Sequence, residues 1–487
     1  MKIPQFWSGE PWLSAAGKVY FPHEHCRGWH PPSPLASSGL RTDRPALFLS
    51  QECMQIAVVG TGYVGLVSAA CFAELGHTVI GVDIDAAKVE KLQRGESPIF
   101  EPGLEELIQS GLKSGRLSFT TSLKDALPGI KILFSAVATP LGADHTADLR
   151  AVFAVLESVA QQVTEPIIFV NKSTVPVGTG KKCEERIAKI LHERGLQFSI
   201  PVISNPEFLR EGMAVGDTLM PDRVVVGING NDAAKELMEE LYRPITRVGK
   251  PLVFMSRESA EIVKYAANSF LATKISFINM LTEFCEITGA DIRDVAKGMG
   301  LDDRIGPRFL HAGIGYGGSC FPKDVKAFLA TAKEQGLSFP IVEATDKVNT
   351  YQRERFTKKI LAALPSASTI AVWGLAFKPK TDDMRDAPSL DILPTLLKAG
   401  HTVKVYDPAS MENAKKLLPE EIQFCESALE ALQDTDALVV LTEWDEFRSM
   451  LSTVTGALHK KLVFDGRNIF DPLEAKKAGL LYFGIGL

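Results

Sequence analysis

From residue 54 onward, short apolar runs alternate regularly with stretches of helical period, and this pattern limits the folds that the chain can adopt. Six of the runs are rich in β-branched residues: QIAVVG, HTVIGVD, IKILFSAVATP, PIIFVNKST, IPVISNP and RVVVGI. Short continuous apolar runs of this kind are typical of parallel strands that are buried on both faces. Strands that alternate with helices form right-handed βαβ units, so the pattern predicts a doubly wound α/β sheet. The first helix should end near Leu75, because Gly76 follows it.

The alternation stops near Ser256 and resumes near Thr369. Residues 258–289 instead have apolar side chains at i, i+3, i+4 and i+7 over about eight turns, which predicts one long amphipathic helix able to join two domains or two subunits. The later strand-like runs are TIAVWGLAF, TVKVYD, ALVVLTEW and LVFDGRNIFD. At 487 residues the chain is too long for one ordinary core. We therefore expect an α/β architecture of two Rossmann-like doubly wound lobes, 54–255 and 366–487, joined by a central helical or dimerisation domain, 256–365.

Residues 1–53 differ from everything that follows them. They have neither helical nor strand period, they are rich in Pro, Ser and His, and they lack the apolar region of a signal peptide. His23, His25, Cys26 and His30 are crowded together, and their spacing matches no standard zinc site. We predict that residues 1–53 are a disordered or non-native extension, and that a chain starting at Met54 keeps full activity.

Charge and cysteine usage exclude several classes of function. The net charge of -6 disfavours a nucleic-acid partner, since no large positive field is available. No run of about 18 apolar residues is present, so no membrane-spanning helix is expected. The 7 cysteines are odd in number, widely spread and never paired as C-x-x-C. That distribution indicates neither a disulfide framework nor a zinc site, and it fits a reducing cytoplasm.

A glycine-rich turn follows the first predicted strand. Its sequence is Gly60-Thr61-Gly62-Tyr63-Val64-Gly65. In a dinucleotide-binding turn, the first glycine permits the tight bend, the second lets the pyrophosphate approach, and the third allows close packing of helix and strand. Asp83 ends the second strand, where a carboxylate accepts hydrogen bonds from the ribose and repels a 2′-phosphate, so NAD is preferred to NADP. The alternatives are a purely structural glycine turn and FAD binding.

Four further segments carry candidate chemistry. VNKSTVPVGTG and SNPEFLREG both follow predicted strand ends, where α/β sheets bind their ligands. Lys264 and Asn268 are four residues apart on the long helix, hence on one of its faces. The glycine-rich loop GIGYGGSCFPKD contains Cys320, which Lys323 and Asp324 follow. A single cysteine or lysine is more often a core or a surface residue, so each of these positions also has a structural interpretation.

These motifs, from Met54 to about Asp471, resemble the UDP-glucose/GDP-mannose dehydrogenase family. NPEFLREG with PDRVVVG and GYGGSCFPKD is most similar to the members that act on UDP-glucose. GDP-mannose members typically vary the loop before the cysteine, and UDP-N-acetylmannosamine members lack FLREG. The resemblance implies an NAD-dependent four-electron oxidation of UDP-glucose to UDP-glucuronate in polysaccharide biosynthesis, without a metal. The enzyme would be cytoplasmic and would form a homodimer through the central helix, with a higher homo-oligomer as the alternative. The same chemistry on GDP-mannose or on a UDP-N-acetylhexosamine remains an alternative.

Within that family the oxidation of CH2OH to a carboxylate reduces two NAD molecules for each sugar. A thiolate at Cys320 would attack the first-formed aldehyde to give a thiohemiacetal, further oxidation would give a thioester, and water would hydrolyse it. A neighbouring cation such as Lys323 would help to form the thiolate. The resemblance further implies that Lys264 and Asn268 stabilise the oxyanion, and that Glu207 is the acid and base of hydrolysis. Asp324 and Thr174 would position the water.

The resemblance also implies two sets of binding residues. The expected NAD contacts are Gly60, Gly62, Tyr63, Val64, Gly65, Asp83, Lys88, Thr139, Thr174, Glu211, Lys323 and Arg385. The expected substrate contacts are Glu207, Phe208, Leu209, Arg210, Glu211, Lys264, Asn268, Arg304, Phe309, Leu310, His311, Ala312, Gly313, Gly317, Lys378 and Arg467. Of these, Arg304 is expected to reach the substrate of a neighbouring subunit.

Two other classes of protein remain open. A two-electron hydroxyacid or sugar-phosphate dehydrogenase would need no nucleophile at Cys320. A non-catalytic nucleotide-sugar sensor should lack at least one of Cys320, Lys264, Asn268 and Asp324, and the chain has all four. The turn GLAFKPKTDD in the second lobe has only one glycine of the dinucleotide motif, so we expect backbone donors and Lys378 to hold a UDP moiety there.

Overall fold

The computed structural model describes residues 53–364 and 367–487, so the prediction for residues 1–53 lies outside the described residues except at Cys53. The strands are β1 (Gln55–Val59), β2 (Thr78–Val82), β3 (Leu117–Thr120), β4 (Ile132–Ser135), β5 (Ile168–Asn171), β6 (Val202–Ser204), β7 (Val224–Gly227), β8 (Leu252–Met255), β9 (Thr369–Trp373), β10 (Thr402–Tyr406), β11 (Gln423–Phe424), β12 (Ala437–Val440), β13 (Leu462–Asp465) and β14 (Leu481–Phe483). The helices are α1 (Tyr63–Glu74), α2 (Ala86–Gln93), α3 (Leu104–Lys113), α4 (Leu123–Ala126), α5 (Arg150–Gln162), α6 (Thr179–Glu193), α7 (Ala214–Leu219), α8 (Asp232–Leu241), α9 (Arg243–Arg247), α10 (Arg257–Thr288), α11 (Ile292–Gly300), α12 (Phe321–Glu334), α13 (Pro340–Ala363), α14 (Ser389–Lys398), α15 (Met411–Leu417), α16 (Ala428–Leu432), α17 (Asp445–Arg448), α18 (Leu451–Ala457) and α19 (Pro472–Lys477).

The first eight strands form one sheet in the order β3-β2-β1-β4-β5-β6-β7-β8. The central strand β1 is parallel to both of its neighbours, with Ile56 opposite Val79 on one side and Ile132 on the other. One pair departs from the predicted parallel pattern: β6 and β7 are antiparallel and meet at Ser204 and Gly227. The connection between them carries only the six-residue helix α7, whereas a parallel return needs a full crossover.

The remaining six strands form a second sheet in the order β11-β10-β9-β12-β13-β14. All of its neighbouring strands are parallel. The order of its strands repeats that of the first six strands of the first sheet, with the chain turning outward on both sides of β9 as it does around β1. The predicted architecture of two Rossmann-like lobes with a helical region between them is confirmed.

The predicted long helix is α10, which has 32 residues. It begins after Ser256, whose side chain caps the first turn by accepting a hydrogen bond from the Ser259 N–H, and it ends at Gly289 in the left-handed conformation. The helix packs against α12 and α13 on one side and against β7 on another. Several polar residues of this helix are buried, Lys264 and Asn268 among them. Buried polar side chains need hydrogen-bond partners.

A second face of α10 leaves large apolar side chains exposed. They recur at helical spacing, and they are Phe270, Phe277, Met280, Phe284 and Ile287. Contiguous exposed apolar surface of this kind marks an interaction site in a folded protein. Among the residues that the structure describes, none of the helices is both long enough and apolar enough to cross a bilayer.

Candidate active site

The carboxyl ends of the first-sheet strands carry the predicted motifs. The glycine turn follows β1, Asp83 follows β2, and the segments VNKSTVP and NPEFLREG follow β5 and β6. Because parallel strands end at the same edge of a sheet, these segments lie side by side there. The helix α10 and the loop before α12 supply the remaining side chains from the central region.

The glycine turn has the geometry of a cradle at the N-terminus of α1. Gly60 has a φ of 94°, and a Cβ there would lie 2.8 Å from the Ala136 carbonyl oxygen. A Cβ at Gly65 would lie 1.8 Å from the Gly60 oxygen, so only glycine fits at that position. At Gly62, by contrast, a Cβ would meet no atom within 4 Å, so the space over the first turn of the helix is open. Free N–H groups at a helix N-terminus favour a phosphate in such a space.

Asp83 closes this cradle from the end of β2. Its Oδ2 accepts hydrogen bonds from the Thr61 N–H at 2.9 Å, from the Thr61 hydroxyl at 2.7 Å and from Lys88 Nζ at 3.0 Å. Burial alone would raise the pKa of Asp83, but the bonds from Thr61, Asp85 and Lys88 outweigh it and lower the pKa to about 2. The carboxylate is therefore ionised at neutral pH, as a group that binds ribose hydroxyls and repels a 2′-phosphate must be.

Further expected NAD contacts lie around the same edge. The Thr139 hydroxyl donates to the Thr174 carbonyl at 2.9 Å, which joins the loops after β4 and β5. The Tyr63 hydroxyl donates to the buried carboxylate of Glu101. Glu101 also accepts from the backbone N–H of Gly212 at 2.6 Å. The first turn of α1 is thus connected through Glu101 to the end of the NPEFLREG segment.

Glu207 and Lys264 form a buried ion pair. The Lys264 ammonium donates to Glu207 Oε1 at 2.7 Å, and the side chains are 3% and 6% exposed respectively. The Leu209 N–H donates to the other carboxylate oxygen at 2.6 Å. Burial opposes both charges, but the attraction between them dominates, so the pKa of Glu207 is lowered and that of Lys264 is raised. Both groups are therefore charged at neutral pH.

Asn268 and Lys323 converge on a third buried carboxylate, that of Asp324. The Asn268 amide donates to Asp324 Oδ2 at 2.6 Å, and the Lys323 ammonium donates to Oδ1 at 2.6 Å. Asp324 also donates its backbone N–H to the Cys320 carbonyl, which begins α12. The two side chains that the i, i+4 spacing placed on one face of α10 therefore each hold a different carboxylate of the site.

Cys320 is the N-cap residue of α12 and follows the glycine-rich loop. Burial raises the pKa of its thiol to about 11, although the nearby charge of Lys264 lowers it. Glu207 and Asp324 add to the increase. The cation that faces the thiol is thus Lys264, whereas Lys323, which the sequence suggested for this role, is paired with Asp324. Three separate segments bring their charged groups to one sulfur atom.

Glu211 connects the two lobes. Its Oε1 accepts a hydrogen bond from the Ser319 hydroxyl at 2.8 Å and lies 3.6 Å from Arg385 Nη2 of the second lobe. Burial, with the charge of Asp383, raises the pKa of Glu211 to about 7 even though Ser319 and Arg385 oppose the increase. Arg385 itself is held by Asp383 at 2.8 Å. A carboxyl that titrates near neutrality therefore lies beside the Cys320 loop.

The glycine-rich loop packs closely on the second lobe. A Cβ at Gly317 would lie 2.3 Å from the Asp386 oxygen, and one at Gly318 would lie 2.7 Å from the Phe377 ring. Gly212 makes a similar contact with the backbone of Lys380. Lys378 lies in the same region: burial lowers its pKa, against the charges of Glu211 and Cys320. The second lobe therefore covers Cys320 and brings a cation towards it.

The other expected substrate residues divide into two groups. Arg467 points towards the site loops, and its guanidinium donates to the carbonyls of Leu441, Gly315 and Phe377. Leu310 and Gly313 are buried, Phe309 and Ala312 are half-buried, and His311 is exposed. Arg304 is 89% exposed and pairs only with Asp302 among the described residues.

Two residues of the NPEFLREG segment also have partners outside the ion pair. The Arg223 guanidinium stacks on the Phe208 ring at 3.6 Å, and Lys264 Nζ lies 5.6 Å from the same ring. Arg210 forms a bidentate pair with Asp217. The part of the segment that follows Glu207 is therefore fixed by contacts of its own.

Three residues with buried polar contacts escaped the sequence interpretation. They are Lys172, Glu101 and Asp407. Asp407 follows β10 as Asp83 follows β2, and it accepts hydrogen bonds from the Leu375 and Ala376 N–H groups, so these two backbone donors are already engaged. The repeated pattern of a strand, a turn and an acid at the end of the next strand was a usable signal for Asp407. No comparable pattern distinguishes Lys172 or Glu101 from surface residues.

Comparison with known proteins agrees with this geometry. Residues 54–246 match the NAD binding domain of the UDP-glucose/GDP-mannose dehydrogenase family, residues 258–351 its central domain, and residues 371–472 its UDP binding domain. The chain is 46% identical over 439 residues to a UDP-glucose 6-dehydrogenase of Rhizobium meliloti, covering 89% of this chain and 99% of that protein. It is 45% identical over 442 residues to a UDP-glucose 6-dehydrogenase of Pseudomonas aeruginosa, covering 89% and 97%.

A solved structure of a UDP-glucose dehydrogenase from Pyrobaculum islandicum superposes with a TM-score of 0.81 at 37% identity, covering 90% of this chain and 98% of that one. The chain belongs to the UDP-glucose/GDP-mannose dehydrogenase family. It is an NAD-dependent oxidoreductase.

Proposed function

We propose that this protein oxidises UDP-glucose to UDP-glucuronate in a four-electron reaction through a covalent intermediate on Cys320. The observation that carries the proposal is the convergence on one thiol of Lys264, Glu207 and Asp324, which come from three separate segments. A simple alcohol oxidation needs no nucleophile at this point, and a sensor has no use for one. The similarity to proteins named UDP-glucose 6-dehydrogenase supports UDP-glucose, and not another nucleotide sugar, as the substrate of this protein.

When bound, NAD would accept two electrons as a hydride at each oxidation, so two molecules would be used for each sugar. The open space at Gly62, the free N-terminus of α1 and the ionised Asp83 fit a dinucleotide. We assign the remaining NAD contacts to the expected set: Gly60, Tyr63, Val64, Gly65, Lys88, Thr139, Thr174, Glu211, Lys323 and Arg385. The chemistry of the site needs no metal. Among the described residues no group of three or more His, Cys, Asp or Glu side chains could hold one.

Cys320 acts on the aldehyde that the first oxidation produces. Once the thiol has released its proton to solvent, its sulfur forms a bond to the aldehyde carbon, and the carbonyl electron pair moves to oxygen, giving a thiohemiacetal oxyanion. Lys264 and Asn268 stabilise that oxyanion, since both are buried donors on one face of α10. The C–H bond of that carbon then breaks, its hydride would pass to a second NAD, and the C=O bond of a thioester forms. The position of Cys320 at the N-terminus of α12 favours the thiolate that has to leave again.

Hydrolysis of the thioester needs an activated water. Glu207, which is ionised, takes a proton from the water as the new C–O bond forms and the C–S bond breaks, and Cys320 leaves as a thiolate. Asp324 and Thr174 position the water. Asp324 lies one helical turn after Cys320, so its carboxylate is near the reacting carbon.

The nucleotide sugar binds between the lobes. The sugar lies near Glu207–Glu211, Lys264 and Asn268, while Phe309–Gly313, Gly317, Lys378 and Arg467 contact the nucleotide portion. The close packing of Gly317 and Gly318 on the second lobe supports this arrangement, since it brings the cation Lys378 beside the cysteine loop.

We also propose the domain bounds 54–255, 256–365 and 366–487, which agree with the end of β8 and the start of β9.

The enzyme acts as a homodimer that forms through the exposed apolar face of α10. Phe270, Phe284 and Ile287 are 66%, 66% and 78% exposed. They recur at helical spacing on one helix, and a contiguous exposed apolar patch marks an interaction site. In the dimer the exposed Arg304 reaches the substrate site of the neighbouring subunit. The cysteines within the described part of the chain are free and scattered, which supports a cytoplasmic location.

A panel of nucleotide sugars tests the proposal. With excess NAD and a limiting amount of UDP-glucose, we expect two NADH and one UDP-glucuronate for each sugar. GDP-mannose and UDP-N-acetylmannosamine should react with a kcat/KM at least about a hundredfold lower, the scale at which a few pocket contacts discriminate. Turnover of either of these sugars with UDP-glucose unused would move the assignment to that substrate, and one NADH per sugar would contradict the four-electron route.

A further inference from the structure

Lys172 is a buried cation beneath the active site with no carboxylate of its own. It follows β5 and is 9% exposed. Its Nζ donates to the Asn205 side-chain oxygen at 3.2 Å, and the Tyr242 hydroxyl donates to the same oxygen at 2.6 Å. The Asn205 amide in turn donates to the Val225 carbonyl at 2.7 Å. Among the residues that the structure describes, Lys172 forms no ion pair, which is costly for a buried charge.

The reaction makes opposing demands on the neighbouring ion pair, if the proposed function holds. Lys264 has to turn towards the oxyanion, yet it is bonded to Glu207 at 2.7 Å. Glu207 has to stay ionised to take a proton from water, yet a buried carboxylate without a cation becomes protonated. A second positive charge near Glu207 resolves the conflict. Lys172 supplies one: its ammonium group is bonded to Asn205, two residues before Glu207 in the chain, and its charge acts on both Glu207 and Lys264.

We propose that Lys172 is a positioning residue that holds Glu207 ionised while Lys264 serves the oxyanion. Asn205 fixes the ammonium group through a neutral contact, so the charge of Lys172 is not cancelled by a partner of its own. Lys172 touches neither NAD nor sugar in this role. Its contribution falls on hydrolysis, the step in which Glu207 has to accept a proton.

Burial and the neighbouring charges give Lys172 a pKa that lies within the pH range of enzyme assays. Burial lowers the pKa of Lys172 to about 8; Glu207 opposes this decrease, and Lys264 adds to it. The Tyr242 phenol also faces this region, and burial raises its pKa, so it stays neutral. Asp324 acts on Lys264 from α12. Hydrolysis should therefore weaken as pH rises through about 8, because Lys172 loses its proton.

The test compares Lys172→Met, which removes the charge, with Lys172→Arg, which keeps it at all working pH values. The control is Lys182→Met, an exposed lysine on α6. In Lys172→Met we expect kcat to fall about tenfold or more, a covalent sugar adduct on Cys320 to accumulate in acid-quenched samples, and the acidic limb of the kcat profile to move to higher pH. In Lys172→Arg the activity should persist and the alkaline limb near pH 8 should disappear.

The affinity for NAD and the thermal unfolding midpoint should both stay unchanged in the two Lys172 variants, because the glycine turn and Asp83 make no contact with Lys172. A fall in both quantities would indicate a loss of folding instead of a loss of positioning. Wild-type kinetics without a change of pH profile in both variants would overturn the proposal. So would a lower kcat in Lys172→Met that Lys172→Arg does not restore. If Lys172→Met does not fold, an alkaline limb that persists in Lys172→Arg overturns it. Failure of the wild-type enzyme to use UDP-glucose would instead contradict the proposed function.

Discussion

At the scale of single residues, Cys320 is subject to opposing effects. Burial and two carboxylates raise the pKa of its thiol to about 11, whereas Lys264 lowers it. A charge at a helix N-terminus is stabilised by about 0.3–1 kcal/mol, which is less than one pKa unit. The thiol is therefore mostly protonated in the resting enzyme. Such a cysteine is protected from adventitious oxidation and becomes a nucleophile only when its proton is removed during the reaction.

Alkylation of Cys320 by iodoacetamide should follow this pKa. We expect the rate of labelling to rise with pH well past 8.5, the usual value for a free thiol, and to level off only near 11. Lys264→Met should slow the labelling further at every pH, because it removes the cation that lowers the pKa. Peptide mass spectrometry over a pH series measures both effects. A rate that levels off near pH 7 would contradict the assigned environment.

The sequence located Cys320 and the charged residues next to it, but not the supporting charges that lie farther away in the chain. Lys264 and Asn268 share a helical face, and Lys323 and Asp324 follow Cys320, so local spacing was informative for them. The pairing of Lys264 with Glu207 instead depends on a contact 57 residues apart in the chain. Lys172 is similar: an isolated lysine after a strand is usually solvated, and only the tertiary structure reveals that it is buried.

At the scale of elements, the turn between β1 and α1 contains three glycines, and each position requires a glycine for a different physical reason. Gly60 has a left-handed backbone, and Gly65 has no room for a Cβ. Gly62 has ordinary dihedral angles and free space around it, so nothing within the protein requires a glycine there. The remaining reason is a ligand that approaches the backbone closely.

Alanine substitutions should separate these reasons. Gly65→Ala should destabilise the protein by about 2 kcal/mol or more, since its Cβ would overlap the Gly60 oxygen. Gly62→Ala should change stability by less than about 0.5 kcal/mol but weaken NAD binding about tenfold or more. Urea unfolding and fluorescence titration with NAD provide the two measurements. Unchanged NAD affinity in Gly62→Ala would place the pyrophosphate elsewhere.

Long elements were predictable and short edge strands were not. The predicted strands in both lobes and the helix α10 are confirmed, because apolar runs and sustained helical period mark them clearly. β3, β8, β11 and β14 have only two to four residues each and lie at or beside the sheet edges. Internal strands that are just as short, such as β6, were predicted because they are fully buried and form continuous apolar runs, whereas the residues of β8, β11 and β14 are exposed or only partly buried. The antiparallel pairing of β6 and β7 depends on the path of a connection, which strand patterning does not encode.

At the scale of the whole molecule, two similar sheets place their carboxyl edges around one cysteine loop. Asp83 and Asp407 occupy corresponding positions after the second strand of each lobe, and each accepts backbone hydrogen bonds from the turn after the first strand. In the second lobe the donors are two successive N–H groups, those of Leu375 and Ala376, so this turn is closed by the protein's own groups. The first lobe keeps an open glycine in its turn and the second does not, which accounts for one dinucleotide site.

The apolar face of α10 should hold two subunits together. The double variant Phe277→Asp and Phe284→Asp should sediment as a monomer and lose most of its kcat/KM for UDP-glucose, because Arg304 can no longer reach a neighbouring site. Leu473→Asp, at an isolated exposed leucine on α19, serves as the control and should stay dimeric and active. A double variant that remains dimeric would show that the subunits meet through another surface.

Counting NADH in Cys320→Ala is the decisive experiment for the covalent route through Cys320. The wild-type enzyme and Cys285→Ala, which alters a buried cysteine on α10, should each form two NADH per UDP-glucose at limiting sugar. Cys320→Ala should fold, bind NAD and fail to complete any turnover, since no thioester can form. Continued formation of NADH and UDP-glucuronate by Cys320→Ala would remove the cysteine from the mechanism.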